Sequence, residues 1–396
     1  MKLKFLILSA TILFISLNIN AQKNEKIILL NAEDAIVGAS RTELYLPLLR
    51  GRSVGVVGNQ TSTFNGTHLV DTLLCLDVKV VKIFSPEHGF RGTADEGASI
   101  ASGVDTKTGL PIVSLYGRNK KPTAEQLQDV DILLFDLQDV GVRFYTYIST
   151  MTYVMEAAAE NGIPVIVLDR PNPNGFYVDG PVLEPENTSF VGLHQVPVVY
   201  GLTIGEYAEM VNGEGWLDDG VRCDLTVIPM GRYVRNAIYR LPVRPSPNLP
   251  NWQSVYLYPS LCLFEGTGVS VGRGTETPFQ IYGHPQMTGS HTFTPRTAPG
   301  HNAPLHADTE CHGECLTDYA DNFENNKQRI QLQWIIDARK QLEDDDKFFN
   351  NYFERLAGVT SLREMINNGL SEKEIRDSWQ EGIGKYLKIR EKYLIY

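Results

Sequence analysis

The 396-residue chain carries 47 acidic and 36 basic side chains, which gives a formal net charge of −11 at pH 7. Such a chain repels nucleic-acid phosphates unless basic residues cluster locally, and the sequence contains no such cluster, which argues against a nucleic-acid partner. Hydrophobic residues make up 42% of the chain, as in ordinary soluble globular proteins.

The N-terminal segment has the pattern of a secretory signal peptide. Lys2 and Lys4 precede the apolar run Phe5–Leu17, and a polar stretch then leads to Ala21. The run fits the roughly 7–15 residues of a signal peptide and is shorter than the ~20 residues that span a bilayer. The sequence therefore predicts that residues 1–21 are removed and that the protein is periplasmic or secreted, without stable membrane insertion. An uncleaved anchor is the alternative.

The rest of the chain is long enough for two domains. Four short segments rich in Val and Ile are predicted to be buried parallel strands, because their apolar residues are nearly continuous rather than alternating. These strands are Ser53–Val57, Val78–Phe84, Asp131–Phe135 and Pro164–Leu168. Segments with helical spacing lie between them, at His68–Leu76, Thr123–Gln128 and Ile148–Asn161. This alternation predicts an α/β fold with a Rossmann-like open parallel sheet in residues 22–202.

The pattern changes at Thr203, which is predicted to cap a helix together with Glu206. Residues Asp224–Pro229 are typical of a short strand. The C-terminal stretch is predicted to be helical at Gln328–Glu343, Ser361–Asn367 and Ser371–Tyr393. We therefore expect residues 203–396 to form a smaller α/β domain with a helical C-terminus.

Several motifs of well-known sites are missing from the sequence. It contains no G-x-G-x-x-G after the first predicted strand, no P-loop, no H-E-x-x-H and no G-x-S-x-G. The sequence therefore predicts neither a cofactor nor a catalytic metal. Cys311 and Cys315, with His312 between them, offer a metal site as one interpretation, but the spacing favours a local disulfide or two free thiols.

Glu87 is the first candidate for a catalytic residue. In an open α/β sheet, ligands bind beyond the carboxyl ends of the strands, and Glu87 closely follows the second predicted strand. Partial burial at that place raises the pKa of a carboxyl group and suits it to donate a proton. The alternative is a structural ion pair with Arg91.

Catalysis by a carboxylic acid often needs a second carboxylate that acts as a base or nucleophile, and the sequence leaves the identity of that residue open. The candidates are Asp136, Asp139, Glu265 and Glu276. A loop cap or a salt bridge with Arg143 explains either aspartate equally well, and a structural pair with Arg273 is the alternative for Glu265.

The same loops contain three arginines, which would bind an anionic group of a ligand or pair with the carboxylates just named. They are Arg91, Arg143 and Arg273. The other predicted substrate-binding residues are polar or aromatic and come from the same loops: Asn59, His88, Gln138, Tyr145, Tyr147 and Asn172. Phe90 and Phe144 could also stack on a sugar, although aromatic residues near strand ends more often belong to the core.

Five motifs in one order resemble the exo-β-N-acetylmuramidase family of glycoside hydrolases, formerly a domain of unknown function. They begin at Ser85 (SPEHGFRG), Asp136 (DLQDVGVRFYTY), Arg170 (RPNP), Pro245 (PSPNLP) and Phe264 (FEGT…GRGT). The resemblance implies two domains with an active-site cleft between them. It also implies release of N-acetylmuramic acid from the non-reducing ends of peptidoglycan fragments. It assigns the acid or base role to Glu87 and explains the arginines, since the lactyl group of muramic acid is a carboxylate.

Two departures from the family pattern affect the site. Val271 stands where the family often has a glutamate, so the role of that carboxylate moves to Glu265 or Glu276 or is absent. The segment Tyr282–Thr294 is shorter than in the family. A muropeptide- or envelope-glycan-binding protein that does not cut its ligand is the competing hypothesis, and an esterase or amidase is a third, although a recognisable nucleophile for it is missing.

Overall fold

The computed structural model describes residues 26–31, 34–87, 89–91, 103–297, 303–342 and 347–396. The predicted signal peptide lies outside these ranges and stays a prediction. Among the described helices, none is long and apolar enough to cross a membrane.

Within these ranges the chain forms fourteen strands and eleven α-helices. The strands are β1 Ile28–Asn31, β2 Val54–Gly58, β3 Thr63–Phe64, β4 Thr67–His68, β5 Val80–Ser85, β6 Gly103–Val104, β7 Pro111–Ser114, β8 Ile132–Asp136, β9 Val165–Leu168, β10 Leu225–Ile228, β11 Ala237–Arg240, β12 Ile281–His284, β13 His291–Phe293 and β14 Cys311–Cys315. The helices are α1 Thr42–Leu49, α2 Leu69–Cys75, α3 Ala124–Leu127, α4 Tyr147–Glu160, α5 Ile204–Glu214, α6 Trp252–Leu261, α7 Thr317–Asp321, α8 Leu332–Gln341, α9 Phe353–Ala357, α10 Ser361–Asn367 and α11 Glu372–Arg390.

A seven-stranded sheet, here called the large sheet, has the order β10-β9-β8-β2-β5-β7-β6. All pairs are parallel except the edge pair of β6 with β7. The four strands predicted from apolar runs are β2, β5, β8 and β9, and β2, β8 and β9 are buried along their whole length. Separate apolar clusters cover the two faces of the sheet, which is why these strands contain few polar residues. The predicted α/β class is confirmed.

Helix α5 begins where the sequence predicts. The Thr203 hydroxyl accepts a hydrogen bond from the Glu206 amide, and the Glu206 carboxylate accepts one from the Thr203 amide, which completes a capping box. Strand β10 follows this helix and pairs with β9. The large sheet therefore continues past the boundary predicted at residue 203, because a strand after that point forms its edge.

A three-stranded antiparallel sheet, β12-β14-β13, lies in the C-terminal half. The segment Tyr282–Thr294, which the resemblance predicts to be shorter than in the family, runs through β12 and β13 of this sheet. Cys311 and Cys315 lie at the two ends of β14, and both are free thiols. Four residues along a strand span about 13 Å, at about 3.3 Å per residue, so a local disulfide between them is excluded.

The last helix returns to the large-sheet part of the chain. On α11, Arg376 forms an ion pair with Asp179 at 2.8 Å, and the Tyr386 hydroxyl donates to the Tyr200 carbonyl at 2.6 Å. Beyond the helix, the Tyr396 hydroxyl donates to the buried carboxylate of Asp169 at 2.7 Å. These contacts hold the C-terminal half against the carboxyl edge of the large sheet, where the candidate site lies.

Candidate active site

A cavity of about 210 Å³ lies at the carboxyl edge of the large sheet, and we call it the reaction cavity. Its walls come from the loops after β5 and β8, from the loop before α6 and from C-terminal segments around α6 and α9. Its lining residues are Glu87, Phe144, Tyr145, Thr146, Tyr147, Val191, Ser246, Asn248, Leu249, Tyr258, Cys262, Glu265, Arg273, Phe279, Tyr352 and Leu356. Both halves of the chain contribute, as expected for a cleft between two domains.

Glu87 reaches this cavity from the end of β5. The strand ends at Ser85, and the Gly89 amide donates to the Pro86 carbonyl, so the chain turns at Glu87. The side chain is partly buried. Among the described residues, no group donates a hydrogen bond to its carboxylate or pairs with it. The predicted alternative of an ion pair with Arg91 is therefore wrong.

Glu265 enters the same cavity from the segment after α6. Its carboxylate pairs with Arg273 at 2.5 Å, and the Cys262 thiol lies 3.7 Å from its other oxygen. Arg273 also lies over the ring of Phe279, with 5.2 Å between guanidinium carbon and ring centre. The glutamate side chain keeps 22% of its surface exposed, so the ion pair leaves it open to a ligand.

Tyr352 lines the same cavity as the two glutamates. Burial raises the pKa of its phenol to about 12, and the negative charges of Glu265 and Glu87 add to that rise. Its ring is 38% exposed at the cavity. The reaction cavity therefore brings together two carboxyl groups and an aromatic surface.

Tyr145 and Tyr147 form a buried wall of the cavity. Their rings meet edge to face, with centres 4.9 Å apart. The Asn59 amide donates to the Tyr147 hydroxyl at 2.7 Å, while the Asn59 carbonyl oxygen accepts from the backbone and the hydroxyl of Thr61. Burial raises the pKa of both phenols, so both remain neutral hydrogen-bonding groups. Asn59, which was predicted to bind substrate, instead positions Tyr147.

Asp136 is neutralised inside the protein. Its two carboxylate oxygens accept bonds from Arg170 at 2.6 and 2.9 Å, and both side chains are buried. The predicted structural partner was Arg143, but Arg170 takes that role because it follows the adjacent strand β9. Asp136 is therefore not the second carboxylate of the reaction cavity.

Asp139 is also buried, without a basic partner. Its carboxylate accepts bonds from the Gly141 amide and from the Tyr200 hydroxyl, and its other oxygen has no partner among the described residues. Burial raises the pKa of Asp139 to about 6. The side chain is 3% exposed and does not line the cavity.

Arg143 is the largest fully buried side chain among the described residues. Its guanidinium donates to the carbonyls of Pro181, Val196, Leu356 and Ala357 at 2.7–3.1 Å. Burial lowers the pKa of Arg143 to about 9, which keeps the group charged at neutral pH. The prediction that Arg143 binds a substrate carboxylate is wrong, because the side chain is fully buried, does not line the cavity, and bonds to backbone carbonyls through both of its terminal nitrogens.

The remaining predicted residues that the structure describes lie outside the reaction cavity. Arg91 forms ion pairs with Asp71 and Asp105, and Glu276 is exposed to solvent. Asn172 is buried and donates to the Leu202 carbonyl, and Gln138 lines a different cavity. His88 lies outside the described residues. Of the predicted arginines, only Arg273 lines the reaction cavity.

Two family models match consecutive parts of the chain. The model described as "Exo-beta-N-acetylmuramidase NamZ, N-terminal" matches residues 54–253, and its C-terminal counterpart matches residues 256–396. The chain belongs to the exo-β-N-acetylmuramidase NamZ family. The junction of the two models lies at the start of α6, after β10 and β11, which agrees with the extent of the large sheet.

Similar proteins cover nearly the whole chain. The peptidoglycan β-N-acetylmuramidase NamZ of Bacillus subtilis (strain 168) is 42% identical over an alignment of 382 residues, and the match covers 89% of this chain and 89% of that protein. A DUF1343 family protein from Bacteroides fragilis NCTC 9343, solved at 1.30 Å, is 46% identical with a TM-score of 0.85, covering 91% of this chain and 99% of that one. A second B. fragilis structure, at 1.65 Å, is 28% identical with a TM-score of 0.78 and covers 92% and 99%.

Sequence reasoning missed several lining residues of this NamZ-family cavity. Asn248 stands within the Pro-Ser-Pro-Asn-Leu-Pro motif, so the motif itself was a signal for it. Tyr352 precedes α9 in a stretch without any motif, and only the fold brings it to the cavity. Val271, the departure from the family pattern, is 4% exposed and belongs to the apolar core.

Arg143→Met is expected to lower the free energy of unfolding by roughly 3–5 kcal/mol, because four buried carbonyls lose a charged donor. Urea unfolding at pH 7 measures this loss. Arg118→Met, at an exposed arginine, is the matched control and should change stability by less than about 0.5 kcal/mol. A stable Arg143→Met protein with a raised KM would restore Arg143 as a substrate-binding residue.

Asp139 is expected to make stability depend on pH. The folded protein keeps its proton up to a pKa of about 6, whereas the unfolded chain releases it near pH 3.9. Ionisation of Asp139 therefore costs stability as the pH rises from about 4 through 6. When the pH falls from 7 to 4, the free energy of unfolding of the wild type should rise by about 2–3 kcal/mol relative to that of Asp139→Asn. Urea unfolding at four pH values tests this, with the exposed Asp129→Asn as control. A difference that stays constant over this range would contradict it.

Proposed function

We propose that this protein is an exo-acting peptidoglycan β-N-acetylmuramidase that hydrolyses terminal N-acetylmuramic acid from the non-reducing ends of glycans. One observation carries the proposal: Glu87 and Glu265 line a single cavity between the two halves of a NamZ-family chain. Glycoside hydrolysis requires such a pair of carboxyl groups on either side of the scissile bond.

The surroundings of the two glutamates suit them to different roles. Glu87 follows β5 into the cavity and has no cationic partner among the described residues, and we assign it the role of the acid that protonates the leaving oxygen. Glu265 forms an ion pair with the Arg273 guanidinium. It is therefore suited to the second role, in which a carboxylate either activates water or attacks the anomeric carbon.

Arg273 also supplies the charge for recognising muramic acid. The lactyl carboxylate distinguishes this sugar from N-acetylglucosamine, and a guanidinium binds carboxylates with paired hydrogen bonds. Tyr352 provides an exposed aromatic face on which a sugar ring can stack.

Cleavage of peptidoglycan-derived glycans also fits the N-terminal signal pattern, and we propose a periplasmic or secreted location from that pattern.

Glu87→Gln is expected to lower kcat on the disaccharide MurNAc-GlcNAc by roughly 10² to 10⁴, because the amide keeps the shape and cannot give a proton. The loss should be smaller on an aryl β-N-acetylmuraminide, whose leaving oxygen needs less protonation. Steady-state rates on both substrates measure the difference.

The matched control is Glu276→Gln, which removes an exposed carboxylate outside the reaction cavity and should retain activity. Equal losses of Glu87→Gln on both substrates would assign Glu87 another role. Full activity of Glu87→Gln, together with unchanged glycan binding, would favour a binding protein instead of an enzyme.

Arg273→Met is expected to raise KM for muramic substrates by about tenfold. This factor is at the low end of the range for loss of a charge-assisted hydrogen bond, because the arginine is partly exposed. The preference for the muramic over the N-acetylglucosamine aryl glycoside should narrow by a similar factor. Arg91→Met should leave that preference intact, since Arg91 is held by Asp71 and Asp105. A larger effect at Arg91 would place the lactyl carboxylate there.

A further inference from the structure

A second and larger cavity, of about 730 Å³, opens at the same edge of the large sheet. It lies between the segment before α1 and the loops that follow β2, β8, β9 and β10. We call it the second cavity. Among its described lining residues there is no aspartate or glutamate, so it lacks the carboxyl groups that cleavage of a glycosidic bond requires. Its chemistry is that of a binding site.

Gln138 presents a hydrogen-bond acceptor in this cavity. The side chain is 4% exposed, and its amide nitrogen donates to the carbonyls of Asp139 and Pro171 at 2.8 and 2.7 Å. Among the described residues, no group donates to its carbonyl oxygen. That oxygen is therefore available to accept a hydrogen bond from a ligand N–H or O–H.

Arg170 presents a donor in the same cavity. Its Nε and Nη2 atoms are engaged with Asp136 and with the Thr63 carbonyl. In the described part of the chain, its Nη1 atom has no acceptor. Arg232, at the exposed side of the cavity, has no ion pair with a described residue. Since Asp136 balances Arg170, the cavity keeps the net positive charge of Arg232.

Apolar side chains complete the walls. Ile36, Val37, Phe64 and Val243 line the cavity beside these polar groups. A fitting ligand therefore carries an anionic group for the arginines, an N–H or O–H donor for Gln138, and methyl groups for the apolar walls.

We propose that the second cavity binds an N-acetylmuramyl group through its lactyl carboxylate and its acetamido N–H, apart from the group that is cleaved. This inference rests on the proposed function, which makes muramyl groups the available ligand. The carboxylate pairs with Arg232 and Arg170, the N–H donates to Gln138, and the lactyl and acetyl methyl groups contact the apolar walls.

Pro245 separates the two cavities. Its carbonyl accepts from the Tyr145 hydroxyl at 2.7 Å on the side of the reaction cavity, and Gln60 approaches it at 3.4 Å. Residues 242–243 line the second cavity, while Ser246, Asn248 and Leu249 line the reaction cavity. One short loop thus borders both sites.

The muramyl group has two sources: another muramic residue of the same glycan, or the released sugar.

The test compares three glycans: MurNAc-GlcNAc, MurNAc-GlcNAc-MurNAc and MurNAc-GlcNAc-GlcNAc. If the glycan is the source, wild-type KM should be about threefold to tenfold lower for the trisaccharide ending in MurNAc than for the one ending in GlcNAc. Arg232→Gln should abolish this difference. Arg50→Gln, at an exposed arginine near the opposite edge of the sheet, should retain it.

If the released sugar is the source, free N-acetylmuramic acid should alter kcat on the disaccharide in the wild type and in Arg50→Gln, but not in Arg232→Gln. Competition for the reaction cavity alone would raise only the apparent KM and would not depend on Arg232.

The inference is overturned when Arg232→Gln, shown to be folded by circular dichroism, changes neither the trisaccharide preference nor the effect of the free sugar. If the wild type cleaves none of the glycans, the proposed function fails. Calorimetric titration of the wild type and of Arg232→Gln with N-acetylmuramic acid then tests binding in the second cavity separately. Equal affinity and stoichiometry in the two proteins overturn the inference.

Discussion

The buried guanidinium of Arg143 is the contact on which the reaction cavity depends. It lies in the loop after β8, next to Tyr145, and its donors reach the carbonyls of Leu356 and Ala357 in α9. Tyr145 and Leu356 both line the cavity, so one side chain connects segments that the N-terminal and the C-terminal half contribute to the site. The approach is close enough to require glycine at position 358, where φ is +79° and a Cβ atom would lie 2.2 Å from the guanidinium. A charged group can occupy this buried place because backbone carbonyls surround it.

The carboxyl edge of the large sheet contains more acidic groups than the reaction needs. Their surroundings determine which of them have a structural role and which are open to a ligand. Asp136 is paired with Arg170, while Asp169 accepts bonds from Thr203, Gly205 and Tyr396. These aspartates hold loops and the C-terminus in place. The glutamates that remain open to a ligand in the reaction cavity come from different halves of the chain. Docking of the C-terminal half is therefore part of building the active site.

The sequence predicted what depends on neighbouring residues. Buried parallel strands leave continuous apolar runs, and capping boxes involve residues three positions apart, so β2, β5, β8, β9 and the start of α5 were found. Strand β10 was also found, but a short strand does not show which sheet it joins. The partners of the arginines could not be predicted, because they are distant in sequence. Arg143, for example, bonds to Leu356 and Ala357, which follow it by 213 and 214 residues. Glu87 reached its predicted place because the end of a buried strand fixes the direction of the loop that follows.

The departure at Val271 becomes understandable from the packing. Val271 is buried among apolar side chains, and its carbonyl accepts the Phe279 amide at 2.8 Å, which closes the loop that carries Arg273. A carboxylate at this position would lose its hydration among apolar neighbours. Glu265 lies eight residues before Arg273 and meets its guanidinium directly. The charge pair of the cavity is thus completed from the end of α6, which leaves position 271 free to pack as part of the core.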